Sequence, residues 1–174
     1  MGLKDLFKNK KKGPLPSQRK AASLKKNSET DIEKSGNQIK SLQYPVKILV
    51  AWGESITGNK EIRDWLMKNG YQELGMFCFA LRNELSAQTW LLKNGYPHLL
   101  ALIKGIEGDM EARDWLKSSG QELLWTMAVA AHGDHTAKQL LLKRDKVYAA
   151  LAMKMERLKD DIEWDNNSIH QINP

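Results

Sequence analysis

Two histidines and an aspartate lie within four consecutive residues, and side chains of these types bind metal ions and exchange protons. They are His132, Asp134 and His135. A metal site also needs convergent ligands and a second shell of hydrogen-bonding partners that orients them. A short polar turn supplies neither feature. We therefore expect a turn here, and neither a metal ion nor an acid–base pair.

The remaining reactive side chains are isolated in the sequence. His98 and His170 stand alone, and Cys78 lies among Phe77, Phe79 and Ala80, where a thiol behaves as a small apolar group. No nucleophile motif, glycine-rich phosphate loop or paired-carboxylate signature occurs. The sequence therefore predicts a protein that is not an enzyme and has no cofactor. The single cysteine excludes an intramolecular disulfide and fits a reducing compartment, so we expect a cytoplasmic location.

The positive charge of the chain is concentrated in its first part. The chain has 174 residues and a net charge of +6. Residues 1–40 contain eleven Lys or Arg and four Asp or Glu, so they carry +7, and the rest of the chain carries −1. No apolar run is long enough to cross a bilayer. The chain is therefore expected to have a near-neutral body with a basic tail and no transmembrane segment.

Residues 1–43 are predicted to be a flexible basic tail, because they are polar and contain Gly13, Pro14 and Pro16. Leu3, Leu6 and Phe7 have helical spacing and predict a short basic amphipathic helix. The tail is either a solubilising extension or a tether to nucleic acid or an anionic lipid surface. Its candidate contacts to an anionic partner are Lys8, Lys10, Lys11, Lys12, Arg19, Lys20, Lys25 and Lys26.

The body of the chain is a repeat with a period of 25 residues. Trp65, Trp90, Trp115 and Leu140 are each followed by Leu, at a constant spacing of 25. Four units begin at Gly58, Asn83, Gly108 and Gly133, and an incomplete unit precedes them from Tyr44. The columns of His132 and His135 hold unrelated residues in the other units, which also favours the turn interpretation of the His132 region.

Each unit is predicted to contain two helices. The first begins after Asn59, Glu84, Asp109 or Asp134 and buries positions five, eight and nine of the unit, so the Trp column (Trp65, Trp90 and Trp115 at position eight) is expected in the core. A glycine at position thirteen ends this helix. The second helix buries a stripe such as Leu74, Phe77, Cys78 and Leu81. Small residues in the column of Ala80, Gly105 and Ala130 allow close helix packing.

Such hairpins must stack to bury their apolar faces. We therefore predict an all-α fold, an α-solenoid of about four and a half stacked helix-turn-helix units over residues 44–164, followed by a C-terminal tail over residues 165–174. The charged final helix is expected to cap the array. The oligomeric state stays open.

The segment TMAVAAHGDHTAKQLLLKRD, from Thr126, resembles the turn between helices of ankyrin repeats. The unit is shorter than an ankyrin repeat and has no room for its β-hairpin finger. The resemblance implies an array that binds other proteins on its concave face. On this basis the candidate binding residues are Met76, Phe79, Lys104, Trp125 and Val129.

The functional expectation is therefore a non-enzymatic helical-repeat module for protein–protein interaction or scaffolding. The alternative is a nucleic-acid-associated or assembly protein that is tethered through its basic tail.

Overall fold

The structure, a computed structural model, describes residues 43–169, with side chains described to residue 166. The predictions for the basic tail and for residues 170–174 lie outside this range. The described residues form α-helices and contain no strand. The helices are α1 Val46–Ile56, α2 Lys60–Lys68, α3 Gln72–Ala80, α4 Leu85–Lys93, α5 Pro97–Ile106, α6 Met110–Ser118, α7 Glu122–Ala131, α8 His135–Arg144 and α9 Lys146–Ile169.

The predicted helix starts are confirmed. Asn59, Asp109 and Asp134 each precede a first helix and accept a hydrogen bond from the backbone N–H three residues later, at 3.1, 3.0 and 2.7 Å. Glu84 holds the same place before α4 but makes no such bond. The caps satisfy backbone donors that would otherwise lack partners at the start of a helix.

The predicted helix ends are also confirmed. Gly70, with φ of +88°, and Gly95, with φ of +84°, occupy the left-handed region just after the first helices. A side chain is strained in this region, which is why glycine recurs at position thirteen. The turn lets α3 and α5 begin almost at once and pack back on α2 and α4.

The second helices form the core. The predicted stripe on α3, which ends at the residue after the helix, is buried, with Leu74 and Phe77 at 0%, Cys78 at 1% and Leu81 at 6% exposure. α5 is the most enclosed helix, because every residue in it except Lys104 is buried. The apolar positions of these helices therefore provide most of the buried surface that stabilises the domain.

Polar side chains connect successive units. Arg82 donates from Nη2 to the carbonyl oxygen of Ile56 at 3.0 Å, and the Nδ1 atom of His132 lies 2.9 Å from the carbonyl oxygen of Ile106. Each contact joins residues that are 26 positions apart in the sequence, so an equivalent contact between successive units occurs twice along the array. The small column is confirmed as well: a Cβ atom on Gly105 would lie 2.9 Å from the Cβ of Ala128 on α7.

The array closes on itself. The helices α1, α3, α5, α7 and α9 contact one another in sequence, and α9 also contacts α1. We call the α1–α9 contact the seam. It is joined by an ion pair between Lys154 Nζ and Glu54 Oε1 at 2.6 Å. The stacked helix-turn-helix array is therefore confirmed, with its first and last helices in contact.

Two details of the sequence prediction were wrong. α9 continues to Ile169, five residues beyond the boundary predicted at Trp164, because no glycine or proline interrupts it there. It is also more than a polar cap. Ala149, Leu151, Ala152 and Met155 are buried, since α9 packs against α7, α8 and α1.

Candidate functional site

The Trp column does not lie in the core, contrary to the prediction. Trp65 has 48% of its surface exposed, and Trp90 and Trp115 are half-buried. Leu140, at the same position of the last unit, is 56% exposed. Position nine is buried instead, and position eight is rotated about 100° away from it around the helix. The column therefore faces the edge of the array where the two helices of each unit join.

A tyrosine covers part of each of the first two tryptophans. Trp65 stacks on Tyr71 with ring centroids 6.5 Å apart and an interplanar angle of 21°, and Trp90 stacks on Tyr96 at 6.0 Å and 9°. Both tyrosines directly follow the glycine of the turn. In the third unit Gln121 replaces the tyrosine. The repeated pairs place broad aromatic surfaces along one edge of the domain.

A polar group is buried behind these pairs. The hydroxyl of Tyr44 donates to Glu73 Oε1 at 2.5 Å, and the ring of Tyr44 packs edge-on against Tyr71. Glu73 is only 6% exposed. Burial, reinforced by the hydrogen bond and the negative charge of Glu73, raises the pKa of Tyr44 above its ordinary value. Tyr44 therefore stays protonated and fixes the carboxylate and the neighbouring rings.

His98 is buried in the same part of the domain. It is 1% exposed, its ring lies 6.1 Å from that of Tyr96, and its Nδ1 atom has no hydrogen-bond partner among the described residues. Burial lowers the pKa of His98 to about 4. The side chain is therefore neutral near pH 7.

The five residues implied by the ankyrin resemblance are all half-buried. Phe79, Lys104 and Val129 share position twenty-two of successive units, whereas Met76 and Trp125 lie at positions nineteen and eighteen. Phe79 is covered by the guanidinium of Arg63 at 4.3 Å, and Trp125 by the ammonium of Lys117 at 4.9 Å. Lys104 pairs with Glu107 at 2.6 Å. Part of this surface is therefore occupied by cations of α2 and α6, and its role in binding stays a prediction.

The His132 region has structural contacts. His132 contacts the carbonyl oxygen of Ile106, and Asp134 caps α8. Among residues 43–169, no group of three or more His, Cys, Asp or Glu side chains is arranged to hold a metal ion. The turn interpretation accounts for this segment.

Cys78 is enclosed by the second-helix core. Its Sγ atom donates to the carbonyl oxygen of Leu74 at 3.3 Å. Burial raises the pKa of the Cys78 thiol to about 12, although Arg82 and Arg63 act in the opposite direction. A protonated, enclosed thiol is a poor nucleophile. This agrees with the prediction that Cys78 packs as an apolar group.

The seam contains a groove that the sequence did not predict. We call it the seam groove; it has a volume of about 210 Å³ and is lined mainly by apolar side chains. Leu49, Val50 and Gly53 line it from α1, and Val147, Ala150 and Leu151 line it from α9. Lys146 and Lys154 are its charged residues. No local pattern indicates this groove, because it exists only where the ends of the array meet.

The remaining predictions concern the tail and the membrane. The eight basic residues of the candidate anionic contact, from Lys8 to Lys26, lie outside the described residues. Within residues 43–169, none of the helices combines the length and the apolar character that a bilayer span requires. Comparison of the chain with protein-family models, curated proteins and solved structures gives no match.

Proposed function

We propose that this chain is a non-enzymatic helical-repeat module that binds another protein, and that the Trp column is its contact surface. The observation that carries this proposal is the exposure of a repeated aromatic column at the hairpin edge. Trp65 is 48% exposed although its neighbour Leu66 is fully buried. Packing of the array leaves these indole rings in contact with solvent.

The chemistry of the column suits protein recognition. Trp and Tyr are enriched at protein interfaces and dominate their energetics, because a large rigid ring buries much apolar area and loses little conformational entropy. Stacking on Tyr71 and Tyr96 holds Trp65 and Trp90 in fixed orientations. A partner that covers the column meets preorganised rings, which lowers the entropic cost of binding.

The ankyrin resemblance favours the same class of function but a different surface. It implies Met76, Phe79, Lys104, Trp125 and Val129 as contacts. Since Arg63 and Lys117 already cover two of these side chains, we favour the Trp column. The cytoplasmic location, which depends on the single cysteine, stays a prediction.

Affinity capture with the full chain tests the proposal. We expect a Trp65→Ser/Trp90→Ser variant to lose a protein that the wild type retains. A Leu85→Ser/Met110→Ser variant is the matched control, because both residues are exposed apolar side chains of first helices, at 76% and 63%. Retention of every captured protein by the Trp variant, with its fold intact by circular dichroism, would contradict the proposal.

A second candidate function is association with nucleic acid through the basic tail, supported by the charge of +7 in residues 1–40. Counterion release makes such binding strongly salt-dependent. We expect a variant with Gln at positions 8, 10, 11 and 12 to bind RNA or DNA more weakly and with a shallower salt dependence than the wild type. Equal binding by both chains would exclude this function for those lysines.

A further inference from the structure

The seam groove lies beside a close contact between α1 and α9. At Gly53 side chains of α9 lie against α1, because a Cβ atom there would lie 3.3 Å from Leu151 Cδ2 and from Lys154 Cδ. The groove beside this contact has a volume of about 210 Å³, and Val50 and Val147 are among the residues that line it. The groove is thus a depression between two helices, of the kind into which side chains of a third helix pack.

The apolar surface continues beyond the groove along α1. Val50, in the groove wall, is 51% exposed, and Val46, one turn earlier, is 61% exposed. Both valines therefore remain largely uncovered on the same side of α1. An uncovered apolar strip next to an apolar groove is a typical feature of a protein-binding site.

The charged residues of the groove have one sign. Among the residues that the structure describes, Lys146 and Lys154 line it, two turns apart on α9, and no carboxylate does. Lys154 pairs with Glu54 at 2.6 Å, so its charge is partly compensated within the seam. Lys146 is exposed. The groove therefore favours an apolar ligand with negative charge at its margin.

We propose that the seam groove binds an amphipathic helix of a partner protein, with the apolar side chains of that helix against Val50 and Val147 and its acidic side chains against Lys146. An α-helix fits because its i, i+3 and i+4 side chains insert into a groove between two helices. Because the occupant is a protein segment, this binding rests on the proposed function. The groove nevertheless lies on α1 and α9, whereas the Trp column lies on α2, α4 and α6.

The test uses the full chain and two fluorescein-labelled peptides, each about 20 residues long so that helix formation is favourable. The acidic peptide has a Leu stripe flanked by Glu, and the basic peptide has Lys in place of each Glu. Fluorescence anisotropy at near-physiological salt measures binding. We expect the acidic peptide to bind the wild type at least about tenfold more tightly than the basic peptide.

Two variants locate the binding. Val50→Glu introduces a charge into the apolar wall, and Lys146→Glu reverses the charge at the margin. Each substitution is expected to lower the affinity for the acidic peptide by about tenfold or more. Lys146→Glu is also expected to raise the affinity for the basic peptide. Leu85→Glu and Lys93→Glu, exposed substitutions on α4, are the matched controls and should leave binding unchanged.

Equal binding of both peptides, or unchanged affinity in Val50→Glu and Lys146→Glu, would overturn the groove proposal. Binding of decanoate that is lost in Val50→Glu, without any binding of the acidic peptide, would overturn it too and indicate a small anionic amphiphile. The two proposals fail separately, because Trp65→Ser/Trp90→Ser should leave peptide affinity unchanged. If Trp65→Ser/Trp90→Ser loses its captured partner and the acidic peptide does not bind the wild type, the groove proposal alone is refuted.

Discussion

Lys154 Nζ lies 2.6 Å from Glu54 Oε1, and this ion pair joins the last helix to the first across 100 positions of sequence. In a linear array of stacked hairpins, the second helix of the first unit and the second helix of the last unit would be far apart. Here they are neighbours, because α9 packs on α7, α8 and α1 together, and the seam groove results from its contact with α1.

Charge reversal at the seam tests the contact. We expect Glu54→Lys to lower the free energy of unfolding by about 1 kcal/mol, because it replaces attraction by repulsion at a half-exposed site. The double variant Glu54→Lys/Lys154→Glu should recover most of this loss. Urea unfolding of the four chains gives the coupling energy. A double variant that shows only the sum of the two single losses would mean that the residues do not interact in solution.

Gly105 should resist substitution by alanine. Alanine normally stabilises a helix interior by about 1 kcal/mol relative to glycine. At Gly105 the added Cβ would lie 2.9 Å from the Cβ of Ala128, so α5 and α7 must separate, and we expect a net loss of about 1–3 kcal/mol. Gly53→Ala is the control, since its nearest neighbours are the flexible ends of Leu151 and Lys154. If thermal unfolding shows that Gly105→Ala is more stable than Gly53→Ala, the close approach of α5 and α7 at Gly105 is contradicted.

His98 should make the domain less stable in acid. Burial holds its pKa at about 4, below the ordinary value of 6.5. Above pH 6.5 His98 is neutral in both the folded and the unfolded chain, so it adds no pH dependence there. As the pH falls from 6.5 towards 4, only the unfolded chain takes up the proton, so the free energy of unfolding decreases. Between pH 6.5 and pH 4, this proton uptake is expected to lower the free energy of unfolding by about 3 kcal/mol.

We expect His98→Leu to remove this part of the pH dependence, since leucine occupies the same position of the third unit, at Leu123. Urea unfolding at several pH values measures it, and the difference between the two chains excludes the common contribution of Asp and Glu. Parallel stability curves for the two chains from pH 7 to pH 4 would show that His98 titrates normally.

The missing cap of α4 can be supplied. Glu84 has the extended backbone of the other capping residues, with φ of −71° and ψ of 108°, but its side chain makes no cap bond. Asp109, one carbon shorter, accepts from Ala112 N at 3.0 Å. We expect Glu84→Asp to raise the free energy of unfolding by about 0.5–1 kcal/mol and Asp109→Ala to lower it by about 1 kcal/mol. If Glu84→Asp does not change the free energy of unfolding, the backbone N–H groups at the start of α4 already have other hydrogen-bond partners.

The sequence predicted those features that depend on local contacts. The 25-residue period, the caps at Asn59, Asp109 and Asp134 and the glycine turns follow from backbone requirements within a few residues. The buried stripe that contains Leu74 and Phe77 follows from helical spacing, so the prediction that the second helices form the core was correct.

The site was predicted less well, because it depends on contacts between distant residues. The register of the repeat suggested that Trp65 at position eight and Leu66 at position nine both lie in the core, but the rotation of α2 against its neighbours decides that only Leu66 is fully buried. Val50 and Val147 are 97 positions apart, and no local pattern brings them together. The seam groove could be found only once α9 was seen to pack on α1.

The most direct test of the central claim is site-specific photocrosslinking in cells, with benzoylphenylalanine placed at Trp65 or Trp90 in the full chain. We place the same residue at Leu85 as a control of greater exposure. If the Trp column is a protein-binding surface, positions 65 and 90 will crosslink to the same protein and position 85 will not. Absence of a crosslinked protein at 65 and 90, or the same products at all three positions, would contradict the account.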